Sequence, residues 1–234
     1  MPVRGESAKL DDNKDIFPKF LPMYTFEDNT SHSSAKFGLN TYEFGYRGSG
    51  TMTNTKLYKN SIGLFFHGTS GVLFDGGLIA DNAGVGILNF GNFRPGNRMR
   101  NTKVIGTSAM YRDSVCPKGT GMMFSLNGRD QQLVLRNTTF EGYNYDSAID
   151  CEENTNLVLR LHGGFNSYPY NMPVFESDVT FDSNENVFDI THDFFPPQKP
   201  WNTYLEDPNG SMNPTGLPGF FVQDDPRMTT FVED

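Results

Sequence analysis

Tryptophan occurs once and cysteine twice in this 234-residue chain, and its four histidines stand far apart. These scarcities remove several kinds of chemistry. His32, His67, His162 and His192 make no His-Glu-x-x-His pattern, and no Cys-x-x-Cys spacing offers zinc a ligand set. Phe124-Ser125-Leu126 lacks the glycine frame of a nucleophile elbow, and neither a phosphate loop nor a dinucleotide turn is present. Apolar runs are short, far below the roughly 18 residues of a membrane span, and Met1-Pro2-Val3-Arg4-Gly5-Glu6-Ser7 is polar where a secretory leader would be apolar. Helix-forming runs are few. With 21 Phe and 24 Gly, the balance points to an all-β body with aromatics stacked inside.

What the chain does have is a repeat. An apolar residue, a spacer, Asn or Asp, and a second apolar residue three positions on recur as Met52-Thr53-Asn54 to Leu57, Leu73-Phe74-Asp75 to Leu78, Met99-Arg100-Asn101 to Val104, and Leu135-Arg136-Asn137 to Phe140. The last two copies align over eight residues, Met99 to Gly106 against Leu135 to Gly142, with four of them identical. Between them recurs a small-residue turn and a short apolar strand ending at Gly: Ser61 to Gly68, Gly84 to Gly91, and Gly121 to Gly128, with Ala35 to Leu39 and Ala148 to Cys151 as worn copies. Strands this short, separated by Asn, Asp and Gly, are too turn-rich for helices.

The anchors Asn54, Asp75, Asn101 and Asn137 are spaced by 21, 26 and 36 residues, which suits a coil that tolerates insertions on one side. The expected fold is a right-handed single-stranded parallel β-helix, a pectate-lyase-like solenoid of about five to seven coils stacked about 4.8 Å apart. In it the four anchors form one column at a sharp bend, where Asn and Asp adopt left-handed dihedrals, and Leu57, Leu78, Val104 and Phe140 point inward. Residues 1–25 read as an N-terminal extension or cap, 26–187 as coils, and 188–234 as an irregular wrap rich in Pro, Gly and aromatics. Solenoid ends need covering, so either residues 1–25 supply the cap or the chain is a piece of a longer protein or assembly.

Charge is unevenly spread. The chain carries a net charge of -9, yet the stretch from Arg94 to Arg136 is +6. Arg100 and Arg136 hold the same repeat position, so stacking would set them on one outward ladder beside Arg98 and Lys103. Such a ladder can grip carboxylates or sulfates spaced along a polysaccharide; the alternative is a solvated face paired with Glu141, Asp130 or a nearby loop. The overall acidity and the lack of a recognition fold argue against nucleic acid.

Other candidates are weaker. Carbohydrate-active solenoids use paired outer carboxylates or a base, and Asp150 and Glu152 fall on one side of a strand, with His67 in a nearby column. The other reading of these residues is a solvated rim. Asp207, Asn209, Asp224 and Asp225 could ligate calcium, the one cofactor considered, although their spacing lacks the regular calcium loop. Cys116 and Cys151 fall one unit apart, either as a disulfide or as separate loop and core thiols. Sequons at Asn29, Asn137 and Asn209 permit glycosylation outside the cell.

Phe26-Glu27-Asp28-Asn29-Thr30-Ser31-His32-Ser33, Leu57 to Leu64 and Asp75 to Gly86 resemble the β-helix region of the cell-surface hyaluronidase and cell-migration-inducing hyaluronan-binding proteins, and of fibrocystin-like proteins. Leu205-Glu206-Asp207-Pro208-Asn209-Gly210-Ser211, followed by Pro218-Gly219-Phe220-Phe221-Val222, is similar to the turn and Pro-Gly step that close that region. The resemblance implies an extracellular or cell-surface module that contacts glycan, or else a structural assembly module without catalysis. No catalytic residue of the family matches a position here.

Overall fold

A computed structural model describes residues 21–41, 49–90, 96–110, 120–125, 133–143, 157–162, 173–181, 188–191, 204–207, 217–222 and 228–231. The described residues form strands, bends and turns, with no helix among them. In chain order the strands are β1 (Thr30–His32), β2 (Phe37–Asn40), β3 (Gly50–Thr53), β4 (Lys56–Tyr58), β5 (Ile62–His67) and β6 (Val72–Asp75). There follow β7 (Leu78–Ala80), β8 (Val85–Phe90), β9 (Asn97–Ile105), β10 (Thr120–Ser125), β11 (Leu133–Glu141) and β12 (Leu157–His162). The last are β13 (Pro173–Phe181), β14 (Phe188–Thr191), β15 (Tyr204–Asp207), β16 (Gly219–Val222) and β17 (Met228–Phe231).

These strands make two sheets, one of ten strands and one of seven, and the chain passes back and forth between them. The first runs β1-β4-β7-β9-β11-β13-β15-β16, with β3 and β6 joined alongside; the second runs β17-β14-β12-β10-β8-β5-β2. Pairing is parallel throughout except between β15 and β16. After Phe188, β14 and β17 extend the second sheet, and β15 adds to β13 in the first.

Parallel register turns the sequence repeat into inward columns. Met52, Phe74, Met99 and Leu135 form one. Leu57, Ile79, Val104 and Phe140 form another, and Leu64, Ile87 and Met122 form a third on the second sheet. All eleven are buried and share one core cluster. Full burial of each such side chain favours folding by about 1.5–3 kcal/mol.

The bend column differs from expectation at one position. Left-handed φ occurs at Asp28 (55°), Asn54 (51°), Gly76 (66°), Asn101 (51°), Asn137 (43°) and Asp178 (51°). Asp75 is therefore not the bend residue; it ends β6 opposite Arg100. Glycine takes the left-handed position without a Cβ penalty, and in Asp75-Gly76-Gly77 that moves the bend one residue on. The inward position shifts with it, so Ile79, not Leu78, is the fully buried partner of Leu57. Asp28 and Asp178 extend the column at both ends. Asp178 escaped the sequence pattern because β13 carries an extra residue, which shifts the register between Leu135 and Arg136.

A second left-handed bend lies at Ser33, Lys59 and Asp81. Just beyond it Asn60 and Asn82 are buried, 1% and 6% exposed. Asn60 Oδ1 accepts from the Ser34 N–H (3.0 Å) and Asn82 Oδ1 from the Asn60 N–H (3.0 Å), while their amides donate to the carbonyls of Ser31 and Leu57. Each side chain thus satisfies backbone groups that lie 22 to 29 residues earlier in the chain and would otherwise be left unpaired.

Candidate functional site

The outer face of the first sheet holds the basic residues, and strand alternation explains how. Along β9, Asn97, Met99, Thr102 and Val104 are buried while Arg98, Arg100, Asn101 and Lys103 are exposed. The bend at Asn101 lets two successive residues face outward, and β11 repeats this at Arg136 and Asn137. Arg100 and Arg136 are direct register partners, and Arg98 lies opposite Val134. On parallel strands this sets the Cα atoms of Arg100 and Arg136 about 4.8 Å apart, with Arg98 about 6.6 Å from Arg100 along β9.

Two of the four predicted cations already have partners. Arg100 Nη2 donates to Asp75 Oδ2 at 2.7 Å, and Lys103 Nζ lies 2.8 Å from Glu141 Oε1, both residues past the bend. Arg98 and Arg136 form no ion pair among the described residues. Asp75 also accepts from Asn101 Nδ2 (2.8 Å), and Asn137 Nδ2 donates to Asn101 Oδ1 (2.8 Å), so its carboxylate supplies the ladder acceptor that Gly76 lacks. The Arg100 hydrogen bond, helped by Asn101 and opposed by burial, holds the Asp75 carboxyl below its usual range, and Asp75 in turn raises Arg100 above its own.

A pH dependence follows from this contact. Because the folded Asp75 is depressed, its stabilising contribution is complete above the unfolded carboxyl value of about 4 and is lost as pH falls through the lower folded value. Comparing urea unfolding of the wild type with Asp75→Asn from pH 7 to pH 2 should show a difference that is constant above pH ~5 and shrinks below ~4. A difference independent of pH would refute the contact's contribution.

Beside Arg98 the same face opens into a groove of about 580 Å³, lined among others by Tyr24, Glu27, Thr51, Thr53 and Leu73. Its outer wall is the segment that meets β3 at bridges Met23 to Gly50 and Glu27 to Thr53. Tyr24, between those bridges, is 90% exposed. Sequence reading missed this groove because the segment carries no repeat signal.

The remaining predicted residues fall elsewhere. His67 ends β5 on the second sheet, tilted against Phe65 at 5.3 Å between ring centroids. Burial pushes the pKa of its imidazole below the usual range. Asn29 is exposed and its Nδ2 donates to the Glu27 carbonyl at 3.1 Å. Asn137 belongs to the bend ladder. Asp207 ends β15 opposite Gly219. Asp150, Glu152, Cys116, Cys151, Asn209, Asp224 and Asp225 lie outside the described residues, and so does any pairing or ligation among them. Among the described residues no group of three His, Cys, Asp or Glu could hold a metal ion, and no helix is long and apolar enough to cross a membrane.

No family model, curated protein or solved structure matches this chain. The outward basic face and its groove therefore carry the functional reading on their own geometry.

Proposed function

We propose that the chain is a right-handed single-stranded parallel β-helix serving as an extracellular module that binds glycan or forms part of a polysaccharide-acting surface protein, like the hyaluronidase-like proteins it resembles. The right-handed preference of parallel crossovers supports the handedness, and the alternation of the chain between two parallel sheets supports the coil. The observation that carries the binding role is the lateral alignment of Arg100 with Arg136 on neighbouring strands, flanked by Arg98. Guanidinium groups repeated at the rung spacing suit anions repeated along a polymer, and this face offsets the repulsion expected from a chain of net charge -9.

The competing reading is a structural module of a large surface protein. The Arg100 to Asp75 and Lys103 to Glu141 contacts favour it, since they commit two of the cations internally.

Titration with hyaluronan and other uronic-acid polymers, with and without calcium, followed by sizing of the products, separates these readings from each other and from catalysis. Binding should weaken with salt, because exposed charges are screened over about 8 Å at physiological ionic strength. Arg100→Ala with Arg136→Ala should lower affinity about tenfold, as two exposed charge contacts of up to ~1 kcal/mol each imply. Unchanged affinity in that variant, or binding insensitive to salt, favours the structural module.

A further inference from the structure

Three exposed arginines share one patch of the outer face. Arg98 and Arg100 are alternate residues of β9, and Arg136 stands beside Arg100 on β11. By strand geometry their Cα atoms form a triangle with sides of about 4.8, 6.6 and 8 Å, close enough for three long side chains to reach one anion from three directions. A carboxylate offers two oxygens in a plane, which a single arginine fork satisfies. A sulfate ester offers three terminal oxygens in a tripod, matching three forks. Asp75 occupies part of Arg100 from the side away from Arg136, because β6 and β11 flank β9 on opposite edges. Lys103 is engaged by Glu141 beyond the bend.

The groove gives the anion a context. It begins at Arg98 and runs past Leu73 and Thr51 to Tyr24, across rungs about 4.8 Å apart, so it extends about 14 Å from the guanidinium patch. A half-polar groove with an exposed aromatic side chain suits a sugar ring, whose apolar face packs on the aromatic while its hydroxyls meet Thr51, Thr53 and Glu27.

We propose that Arg98, Arg100 and Arg136 form a recognition site for a sulfate ester on a polysaccharide, with the adjoining sugar residues in the groove beside Tyr24. This rests on the glycan-binding reading and adds to it a preference for sulfate over carboxylate. The patch is open, and the chain's net charge of -9 opposes nonspecific attraction, so local geometry must supply the preference.

The test measures binding of three hexasaccharides of equal length by calorimetry at fixed ionic strength: chondroitin 4-sulfate, its chemically desulfated form, and hyaluronan. The sulfated ligand should bind at least about tenfold more tightly than either other. Arg98→Gln with Arg136→Gln should collapse that ratio towards one, with an unchanged melting temperature because both side chains are exposed. Lys36→Gln with Lys56→Gln removes the same charge from exposed residues elsewhere and should leave the ratio intact. Equal affinity for all three ligands overturns the sulfate site while leaving the glycan-binding reading standing. A ratio that collapses equally in the lysine variant, or survives in the arginine variant, also overturns it. Binding to none of the three overturns both.

Discussion

Phe140→Ala should lower the unfolding free energy by about 3–5 kcal/mol, the range for truncating a fully buried phenylalanine. Phe140 is 0% exposed and stands in the column after Leu57, Ile79 and Val104. Its other neighbour is Phe181 on β13. The parallel strands are held in place by backbone pairing on both edges, so the sheets cannot collapse into the vacated volume, and the transfer loss and cavity add. Urea unfolding followed by far-ultraviolet circular dichroism would read this as a lower midpoint with an unchanged slope. Half-buried Val134, on the outward side of the same strand, gives the comparison: Val134→Ala should cost clearly less. Equal losses at the two positions would mean that β11 does not present opposite sides to core and solvent.

Much of this architecture is legible in the sequence because a parallel stack repeats its chemistry at every rung. The apolar and Asn or Asp spacing locates Asn54, Asn101 and Asn137 at the bend, and aligning Met99 to Gly106 with Leu135 to Gly142 anticipates the pairing of Arg100 with Arg136. The failures are local and physical. At Asp75-Gly76-Gly77 the pattern has two residues that suit a left-handed bend, and glycine wins because its cost there is lower; counting from Asp75 then misplaces Leu78. At Asp28 the residue three positions on is Ser31, and at Asp178 a bulge displaces the preceding apolar residue, so neither satisfies the pattern. Asn60 and Asn82 are recurrent but look like turn residues, and nothing local signals that they are buried.

The candidate site was half visible. Repeat alignment shows which basic residues share a row, but ion pairing depends on what the next rung presents. The spacing puts Asp75 at the bend, which hides its role as the partner of Arg100. Glu141 is a partner that the sequence offers for the basic face, and the cation it meets is Lys103. The groove beside Arg98 is a property of how residues 22–27 lie against β3, which no spacing encodes.

Gly63→Val should be at least as damaging as the loss of Phe140, for the opposite reason. Gly38, Gly63, Gly86 and Gly121 follow one another up the second sheet, as the pairing of their neighbours shows. A Cβ at Gly38 would lie 2.7 Å from the Gly63 carbonyl oxygen, one at Gly63 2.6 Å from the Gly86 carbonyl, and one at Gly86 2.7 Å from the Gly121 carbonyl. At Gly63 it would also meet Asn82 Nδ2 and Ile79 Cγ2, each at 2.8 Å. The oxygen cannot move aside as a flexible side-chain tip would, because it belongs to a rung whose position β5 and β8 fix together. Overpacking a core ordinarily costs about 1–3 kcal/mol; here the strain also pushes on Asn82, whose Oδ1 caps the buried Asn60 N–H, and a buried donor left unpaired costs a further ~1–3 kcal/mol. Gly63→Val should therefore lose about 3–5 kcal/mol in urea unfolding, Gly63→Ala a smaller part of it. At Gly84 the nearest contact of an added Cβ is looser, 3.1 Å from the Ser61 carbonyl, and Gly84→Ala should be milder than Gly63→Ala. A Gly63→Val protein as stable as the wild type would show that these rungs do not approach each other closely at the glycine column, and would remove the reason for glycine there.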